Sequence, residues 1–274
     1  MSSRFPRIAG VVIAAMAGVA SAHARELRVC ADPNNLPFSA KDGSGFENRI
    51  ATLLADELDA KLVYTWRAQR RGFLRNTLNA GKCDVVMGYP PNYQLLRSTR
   101  PYYRSSYVFV QRAGEEPITS FDDPALKRRR IGVQLVGDDG SNTPPVQILS
   151  KHGIVGNVRG YMVYGDYRSK APLSPIIEAV AKGDVDVAVV WGPTAGYFAA
   201  QSEVGLSLTP VLFDPTILTQ PMTYDIAVGV RRSDVELADE IDRALRVRRD
   251  EVDAILAAFQ VPRTDGATRI GGLR

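Results

Sequence analysis

The sequence predicts an α/β protein in which parallel sheets are covered by helices. Along the chain, short apolar or alternating segments, typical of strands, alternate with amphipathic segments at helical spacing. One strand candidate, Val187–Val190, is apolar throughout and lies between Gly183 and Gly192-Pro193, as a strand covered on both faces should. Apolar residues make up 45% of the chain and charged residues 23%, which indicates a globular protein and excludes a disordered one.

The first 24 residues differ from the rest of the chain. Arg4 and Arg7 form a short basic region, Ile8–Val19 is small and apolar, and Ser21–Ala24 supplies an A-x-A cleavage site. This pattern predicts a secretory signal peptide that is cleaved after Ala24, and therefore a periplasmic protein. The apolar run is too short to span a bilayer, so no membrane insertion is expected.

Charge and histidine content restrict the possible functions. Removal of residues 1–24 leaves 32 Lys and Arg against 30 Asp and Glu, a formal charge of +2, and a single histidine, His152. A charge this small gives no support to nucleic-acid binding. His152 lies in a helix-end pattern, and no nucleophile with an adjacent base is recognisable. We therefore expect no catalytic residues, no metal site and no cofactor.

The first β-α-β series begins directly after the predicted cleavage site. The helix after Gly45 carries apolar residues at helical spacing, and a turn-rich loop, Asp32–Pro37, precedes it. The expected elements are a strand at Leu27–Ala31, a helix with Phe46, Ile50, Leu53, Leu54 and Leu58 on one face, a strand at Lys61–Trp66, a helix from Phe73 that ends near Gly81, and strands at Asp84–Met87 and Ser105–Val110.

Cys30 and Cys83 are the two cysteines of the chain. Export permits a disulfide between them. Cys30 lies late in one expected strand and Cys83 at the start of another, so that parallel neighbours would hold them offset along the sheet. This argument favours two buried thiols over a bridge.

A second series of strands and helices follows. It begins with the alternating segment Arg130–Gln134 and contains the buried strand that ends at Val190, which we expect to be followed by a turn at Gly192-Pro193. The remaining expected elements are a helix at Pro145–Lys151, a strand at Val158–Val163, a helix at Pro175–Lys182, strands at Val204–Phe213 and Tyr224–Val230, a helix at Val235–Val247 and a short helix with Val252, Ile255, Leu256 and Phe259.

Several short motifs occur in the order found in the amino-acid-type periplasmic solute-binding proteins. They are Gly45-Phe46-Glu47, Gly81-Lys82-Cys83-Asp84, Pro101-Tyr102-Tyr103, Ile131-Gly132-Val133-Gln134 and Gly183-Asp184-Val185-Asp186. Over residues 26–262 the chain resembles this type II binding-protein fold, which implies two α/β lobes with a cleft between them. Lobe one would comprise residues 25–111 plus 223–262 and lobe two residues 112–222, with a flexible tail at 263–274. The chain would cross near Gln111–Gly114 and return near Gln220–Thr223, and these crossings would act as hinges.

Three departures from the family pattern indicate that amino-acid binding is lost. Trp191 stands where the family has the aspartate that holds the substrate ammonium group. The segment Gly88–Pro101 is short, and Tyr or Pro falls where the carboxylate-binding arginine belongs, while the register excludes Arg97 and Arg100 as substitutes. The next anion loop carries Asp138 and Asp139, which would repel a carboxylate.

Four longer motifs resemble the MxaJ/XoxJ family, the binding-protein-like accessories of PQQ-dependent methanol dehydrogenases. They are Cys30–Ser39, Tyr64–Phe73, Pro101–Val110 and Trp191–Phe198. The resemblance implies a non-catalytic periplasmic factor that binds and helps to mature or activate such a dehydrogenase, whether a calcium or a lanthanide enzyme, with its cytochrome c as a further possible partner. The alternatives are a solute-binding protein that delivers an uncharged or aromatic molecule to an ABC transporter, and an exported lyase or dehydratase of the same fold class.

The candidate cleft or partner-binding residues are those at the expected strand ends and those that interrupt the family pattern. They are Asp32, Asn34, Asn35, Arg70, Arg71, Tyr89, Tyr102, Tyr103, Asp138, Trp191 and Tyr197. Alternatives stay open for several of them. Trp191 is a cleft wall or a core residue, and Asp32, Asn34 and Asn35 bind a ligand or only shape a turn. Arg70 and Arg71 face a partner or solvent, and the basic run Lys127–Arg130 is a docking patch or a solvated loop.

Overall fold

The computed structural model describes residues 25–136, 142–164, 167–211 and 221–265. The expected signal peptide, most of the expected tail and Asp138 lie outside these ranges. No helix within them has the length and apolar character that crossing a bilayer requires.

The described chain forms strands and helices in alternation. The strands are β1 (Glu26–Ala31), β2 (Asn34–Asn35), β3 (Ser39–Ala40), β4 (Lys61–Trp66), β5 (Val85–Tyr89), β6 (Arg97–Ser98), β7 (Tyr103–Arg112), β8 (Ile131–Leu135), β9 (Val158–Met162), β10 (Val187–Trp191), β11 (Leu206–Pro210) and β12 (Thr223–Val230). The helices are α1 (Phe46–Glu57), α2 (Phe73–Asn76), a 3-10 helix (Pro124–Lys127), α3 (Pro144–Lys151), α4 (Pro175–Lys182), α5 (Gly192–Ala199), α6 (Val235–Val247) and α7 (Arg249–Ala258).

Two α/β lobes share one strand path, in the order β4-β1-β5-β12-β7-β10-β8-β9. In lobe one, β1 pairs in parallel with β4 and β5, and β12 is antiparallel to β5. In lobe two, β8 pairs in parallel with β9 and β10. The parallel pairs and the helices between them confirm the α/β class that the sequence predicts.

The long strand β7 belongs to both lobes. Its first residues, Tyr103–Ser106, pair with β12 of lobe one, whereas Tyr107–Val110 pair with β10 of lobe two. The chain therefore passes between the sheets at Ser106 and Tyr107, upstream of the expected crossing at Gln111–Gly114. The residue bounds of the lobes otherwise stay a prediction.

Apolar side chains cover both faces of the central strands. Along β10, Ala188 and Val190 pack in one hydrophobic cluster with α4, while Val187 and Val189 pack in another with α3. This arrangement explains why the strand is apolar throughout. In lobe one the helical spacing of α1 buries its apolar face completely, with Phe46 at 0% exposure.

The turn expected after Trp191 is wrong, because a helix starts there directly. Pro193 lies in the first turn of α5, where a missing N–H interrupts no helical hydrogen bond. A Cβ added at Gly196 would lie 1.9 Å from the carbonyl oxygen of Gln260. Glycine at this position therefore allows α5 to pack closely against the chain after α7.

The preference for two free thiols is also wrong, because Cys30 and Cys83 form a disulfide. The sequence-based expectation assumed that Cys83 begins a strand, which would offset it from Cys30 along the sheet. In the structure, β5 begins only at Val85. Cys83 instead lies in the irregular segment between α2 and β5, where it packs with Leu78 and Cys30. The two Cα atoms are 5.6 Å apart, within the reach of a disulfide.

Candidate functional site

A cavity of about 890 Å³ lies between the lobes. Lobe one contributes the loop after β1, the start of α1 and the segment from Gln69 to Arg75. Lobe two contributes the ends of β8 and β10 and the segment after β9. Polar and aromatic side chains alternate around the wall, which suits an occupant with both apolar and hydrogen-bonding groups.

Trp191 forms part of the cleft wall, at the point where the two lobes meet. Its ring contacts Tyr107 edge-on with a centroid distance of 5.4 Å, and Tyr224 with a distance of 5.8 Å. Its backbone N–H donates to Oε1 of the buried Gln134 at 3.0 Å. Burial raises the pKa of Tyr107, so this corner is aromatic and uncharged. Trp191 is therefore both packed and turned toward the cleft.

Asp32 and Asn34 connect the two lobes. The Asp32 carboxylate is 5% exposed and accepts from the backbone N–H groups of Asn34 and Gln69, at 2.9 and 2.7 Å. The hydroxyl of Tyr167, in lobe two, donates to the same carboxylate. Asn34 Nδ2 donates to the carbonyl oxygen of Ser169 at 2.7 Å. We call these two contacts across the cleft, Asp32–Tyr167 and Asn34–Ser169, the interlobe clasp.

The arginines that precede α2 lie along the same edge of the cleft. The Arg70 guanidinium lies over the ring of Tyr167, 5.4 Å from its centroid, and 6.0 Å from the centroid of Tyr164. Arg71 and Arg75 line the cleft and are exposed. Arg70 thus adds to the clasp, while Arg71 and Arg75 face the opening.

Glu47 is a cleft residue that the sequence argument did not select. It lies in the first turn of α1, is 8% exposed, and lines the cavity. No cation forms an ion pair with it in the described ranges, and burial raises the pKa of its carboxyl to about 8. A Cβ added at Gly88 would lie 2.3 Å from Glu47 Oε1, so the carboxyl packs against the glycine backbone. The motif Gly45-Phe46-Glu47 was a signal for this residue, but it indicated only the fold.

The other candidates separate into cleft and core residues. Asn35 and Tyr89 line the cleft, and Tyr89 contacts Tyr93 edge-on at 5.6 Å. Tyr102 and Tyr103 do not reach it, because each is 2% exposed in the core of lobe one.

Tyr102 and Tyr103 are buried because β7 begins inside lobe one, where Tyr103 pairs with Ile226 of β12. Tyr197 is half-buried and stacks on Phe259 with a ring-centroid distance of 5.5 Å, so it packs α5 against the end of α7. It does not line the cleft. Asp138 lies outside the described residues.

The remaining cations predicted from the sequence lie away from the cleft wall. Arg100 pairs with Asp242 of α6 at 2.8 Å, on the outer side of lobe one. In the basic run Lys127–Arg130, Arg129 pairs with Glu115 and Arg130 pairs with Asp186. Two of the four charges of this run are therefore neutralised internally.

Among the described residues, the cleft wall offers no free carboxylate that could hold the ammonium group of an amino acid. Asp32 is occupied by its three donors, and Trp191 replaces an acid with an indole. No group of His, Cys, Asp and Glu side chains with metal-binding geometry occurs in the described part of the chain. The arrangement can bury an apolar or aromatic group and accept or donate hydrogen bonds around it.

Comparisons with known proteins give consistent similarities. The family model of bacterial extracellular solute-binding proteins, family 3, matches residues 27–259. Protein MoxJ of Methylorubrum extorquens is 35% identical over 259 residues, which cover 90% of this chain and 84% of that protein. Protein MoxJ of Paracoccus denitrificans is 32% identical over 276 residues, covering 93% and 95%. The crystal structure of the periplasmic binding protein XoxJ from Methylobacterium extorquens AM1 has a TM-score of 0.71 and 38% identity, covering 87% of this chain and 99% of that one. These similarities confirm the fold class and the family resemblance expected from the sequence.

Proposed function

The chain belongs to the bacterial extracellular solute-binding proteins of family 3, among the relatives of MoxJ and XoxJ, and on this premise we propose that it is a periplasmic accessory protein of a PQQ-dependent methanol dehydrogenase. In this proposal it is not an enzyme. It binds the dehydrogenase, or an intermediate of its assembly, through the cleft and helps it to mature or become active. A calcium or a lanthanide enzyme fits equally, and the cytochrome c of the system is a possible second partner.

The observation that carries the proposal is the uncharged aromatic corner around Trp191. An acid at this position would bind an ammonium group, whereas the indole offers one N–H donor and a large apolar surface. Aromatic and arginine side chains dominate the binding energy of protein interfaces, and the cleft displays both. A loop or helix of the dehydrogenase that inserts an apolar side chain against Trp191 would bury this surface.

Catalysis finds no support in the described cleft. Glu47 carries a raised pKa, but the titratable groups near it are tyrosine hydroxyls whose own pKa values are raised by burial, so no group of the described cleft is poised to accept its proton near neutral pH. Binding without turnover is the activity that the residues support.

Replacement of Trp191 by alanine should weaken binding of the apo-dehydrogenase by about tenfold or more, because truncating an aromatic anchor at the centre of an interface costs about 2 kcal/mol or more and about 1.4 kcal/mol corresponds to a tenfold change in Kd. The measurement is the Kd of purified protein for the apo-dehydrogenase by biolayer interferometry, together with dehydrogenase activity after mixing.

The matched control is Trp66→Ala. Trp66 is the other tryptophan of the chain and stacks on Tyr64 at 4.4 Å, outside the cleft lining. It should leave the Kd within about twofold at equal thermal stability. If the wild type neither binds at tens of micromolar nor changes dehydrogenase activity, the proposal is wrong.

The size of the cleft favours one alternative, a receptor for an uncharged or aromatic small molecule that feeds an ABC transporter. A volume of about 890 Å³ lies within the range of small-molecule sites. A ligand at a hundred times its Kd would add roughly 2.7 kcal/mol of stability, which thermal-shift screening detects. A strong shift with such a ligand and no dehydrogenase binding would favour this alternative.

A further inference from the structure

Four arginines fall within nine residues of the chain, and three of them line the cleft. They are Arg67, Arg70, Arg71 and Arg75, and all four are exposed. Across the described ranges none of them forms an ion pair with a carboxylate. Many other arginines of the described chain do form such pairs, as Arg28 does with Asp84 at 2.6 Å and Arg130 with Asp186 at 2.6 Å.

The local structure holds these side chains at the cleft edge. Phe73 and Leu74 are 5% exposed and fix the segment to the core beneath it. Gly72 adopts a left-handed conformation, with φ at 80°, so the chain turns sharply between Arg71 and the first residue of α2. Arg71 and Arg75 therefore extend from a fixed turn and line the cleft, while Arg70 is engaged with the clasp tyrosines.

An apolar surface continues from the arginines toward solvent. Tyr93 is 42% exposed and Leu95 is 51% exposed, and both line the same cavity. Large apolar groups that remain exposed beside unpaired arginines have the composition of a protein-binding surface. We define Arg71, Arg75, Tyr93 and Leu95 as the cleft rim.

The acids of the described cleft wall do not neutralise the rim. Asp32 is buried and already accepts from three donors. Glu47 is buried at the base of the cavity, and its raised pKa of about 8 keeps it protonated at neutral pH. Counting the described residues, the rim is therefore positively charged, which attracts carboxylates and repels cationic segments.

We infer that the cleft rim binds an acidic segment of the partner dehydrogenase, with carboxylates on Arg71 and Arg75 and apolar side chains on Tyr93 and Leu95. The inference rests on the proposed function, since it specifies the chemistry of the part of the partner that enters the cleft. A guanidinium pairs with a carboxylate through two parallel hydrogen bonds, so two such pairs fix the register of the segment. The exposed position of the rim makes its charges act mainly on the rate of association.

The test is a charge reversal at the rim with a matched reversal elsewhere. The double variant Arg71→Glu/Arg75→Glu should associate with the apo-dehydrogenase at least about tenfold more slowly at low ionic strength, and its rate should lose most of its salt dependence. Arg71→Lys/Arg75→Lys should keep the association rate, because it keeps the charge. The control is Arg159→Glu/Arg243→Glu, which changes the net charge equally at exposed positions outside the cleft lining.

The outcomes separate this inference from the proposed function. If the wild type does not bind the dehydrogenase at all, the proposed function fails. If the wild type binds but the rim variant associates as fast as the control variant, the inference alone is overturned. Competition by a synthetic peptide of alternating Glu and Phe residues, lost in the rim variant, would support it. Stabilisation by benzene-1,3,5-tricarboxylate with no competition by that peptide would overturn it in favour of a small polycarboxylate ligand.

Discussion

Glu47 is buried in the cleft wall and forms no ion pair with any described cation. Its carboxyl packs on Gly88 and is surrounded by the hydroxyl-bearing side chains of Tyr64, Tyr89 and Tyr102, whose pKa values are raised chiefly by burial. Desolvation disfavours the ionised carboxylate, which explains the rise of the Glu47 pKa from about 4.5 to about 8. The native state therefore holds a proton here that the unfolded chain releases.

Glu47→Gln should reveal this proton in the stability of the protein. Because the folded pKa exceeds the unfolded one, the wild type loses stability as the pH rises from about 4.5 to about 8, and glutamine cannot titrate. Relative to the wild type, the variant should gain on the order of 2 to 5 kcal/mol in free energy of unfolding between pH 4.5 and pH 8. Urea unfolding of both proteins at several pH values measures the difference.

Glu178→Gln provides the control for the pH series. Glu178 lies on α4, where the Ser174 hydroxyl and then Lys182 lower its pKa, the opposite direction to Glu47. Its variant should not gain stability relative to the wild type as the pH rises. Parallel pH profiles for Glu47→Gln and the wild type would contradict a buried protonated carboxyl.

Single residues also mark where sequence reasoning was reliable. Trp191 was identified because a strand of known pattern ends in an unusual residue, and a strand end has a predictable position. Tyr102 and Tyr103 belong to an equally distinctive motif, but their burial depends on pairing with β12, more than a hundred residues later in the chain. Glu47 was overlooked because a helix start with an acid is ordinary, and only the tertiary structure removes its solvent.

Among the elements, those with regular periodicity were predicted closely. The helix expected at Val235–Val247 coincides with α6, since its apolar face repeats at helical spacing. Helix α5 was missed because Gly192-Pro193 is a turn signal, yet proline is equally compatible with a first helical turn. The disulfide was missed because the crossing from α2 to β5 is irregular and no periodicity encodes it.

Loss of the disulfide should destabilise lobe one. The bridge joins β1 to the chain before β5 over a separation of 53 residues, so it removes many conformations from the unfolded state. Cys30→Ala/Cys83→Ala should lower the free energy of unfolding by about 2 to 4 kcal/mol, as measured by urea denaturation.

A second arm uses the wild type with a phosphine reductant, which should approach the stability of the double variant. The reductant should leave the double variant itself unchanged. Equal stability of the reduced and oxidised wild type would show that the bridge contributes nothing.

For the whole molecule, the interlobe clasp joins residues that are 135 positions apart in the sequence, Asp32 with Tyr167 and Asn34 with Ser169. Local sequence patterns cannot predict such long-range contacts. The position of Asp32 and Asn34 after the first strand did indicate that they lie at the edge of the sheet where α/β proteins bind ligands. The clasp restrains the two lobes at one side of the cavity. The cleft rim adjoins the clasp through Arg70, and its residues Arg71 and Arg75 form no ion pair in the described ranges.

Removing the clasp should widen the average separation of the lobes. Tyr167→Phe/Asn34→Ala deletes both hydrogen bonds, and each contributes about 1 kcal/mol to the closed arrangement. Small-angle X-ray scattering should then give a larger radius of gyration at unchanged secondary structure. Tyr161→Phe, a hydroxyl deletion in lobe two outside the main cleft, is the control. Identical scattering from the double variant and the control would mean that the clasp does not hold the lobes.

Strand β7 gives the molecule a mechanical property that neither lobe has alone. The first half of β7 is hydrogen-bonded to β12 and its second half to β10. Rotation of one lobe against the other must therefore twist the backbone of β7 at Ser106 and Tyr107. The ring of Trp191 touches Tyr107 at this point of twist. An occupant that moves the lobes apart should therefore change the surroundings of Trp191, one of the two tryptophans in the chain. The optical signal of this indole would then report the relative movement of the lobes.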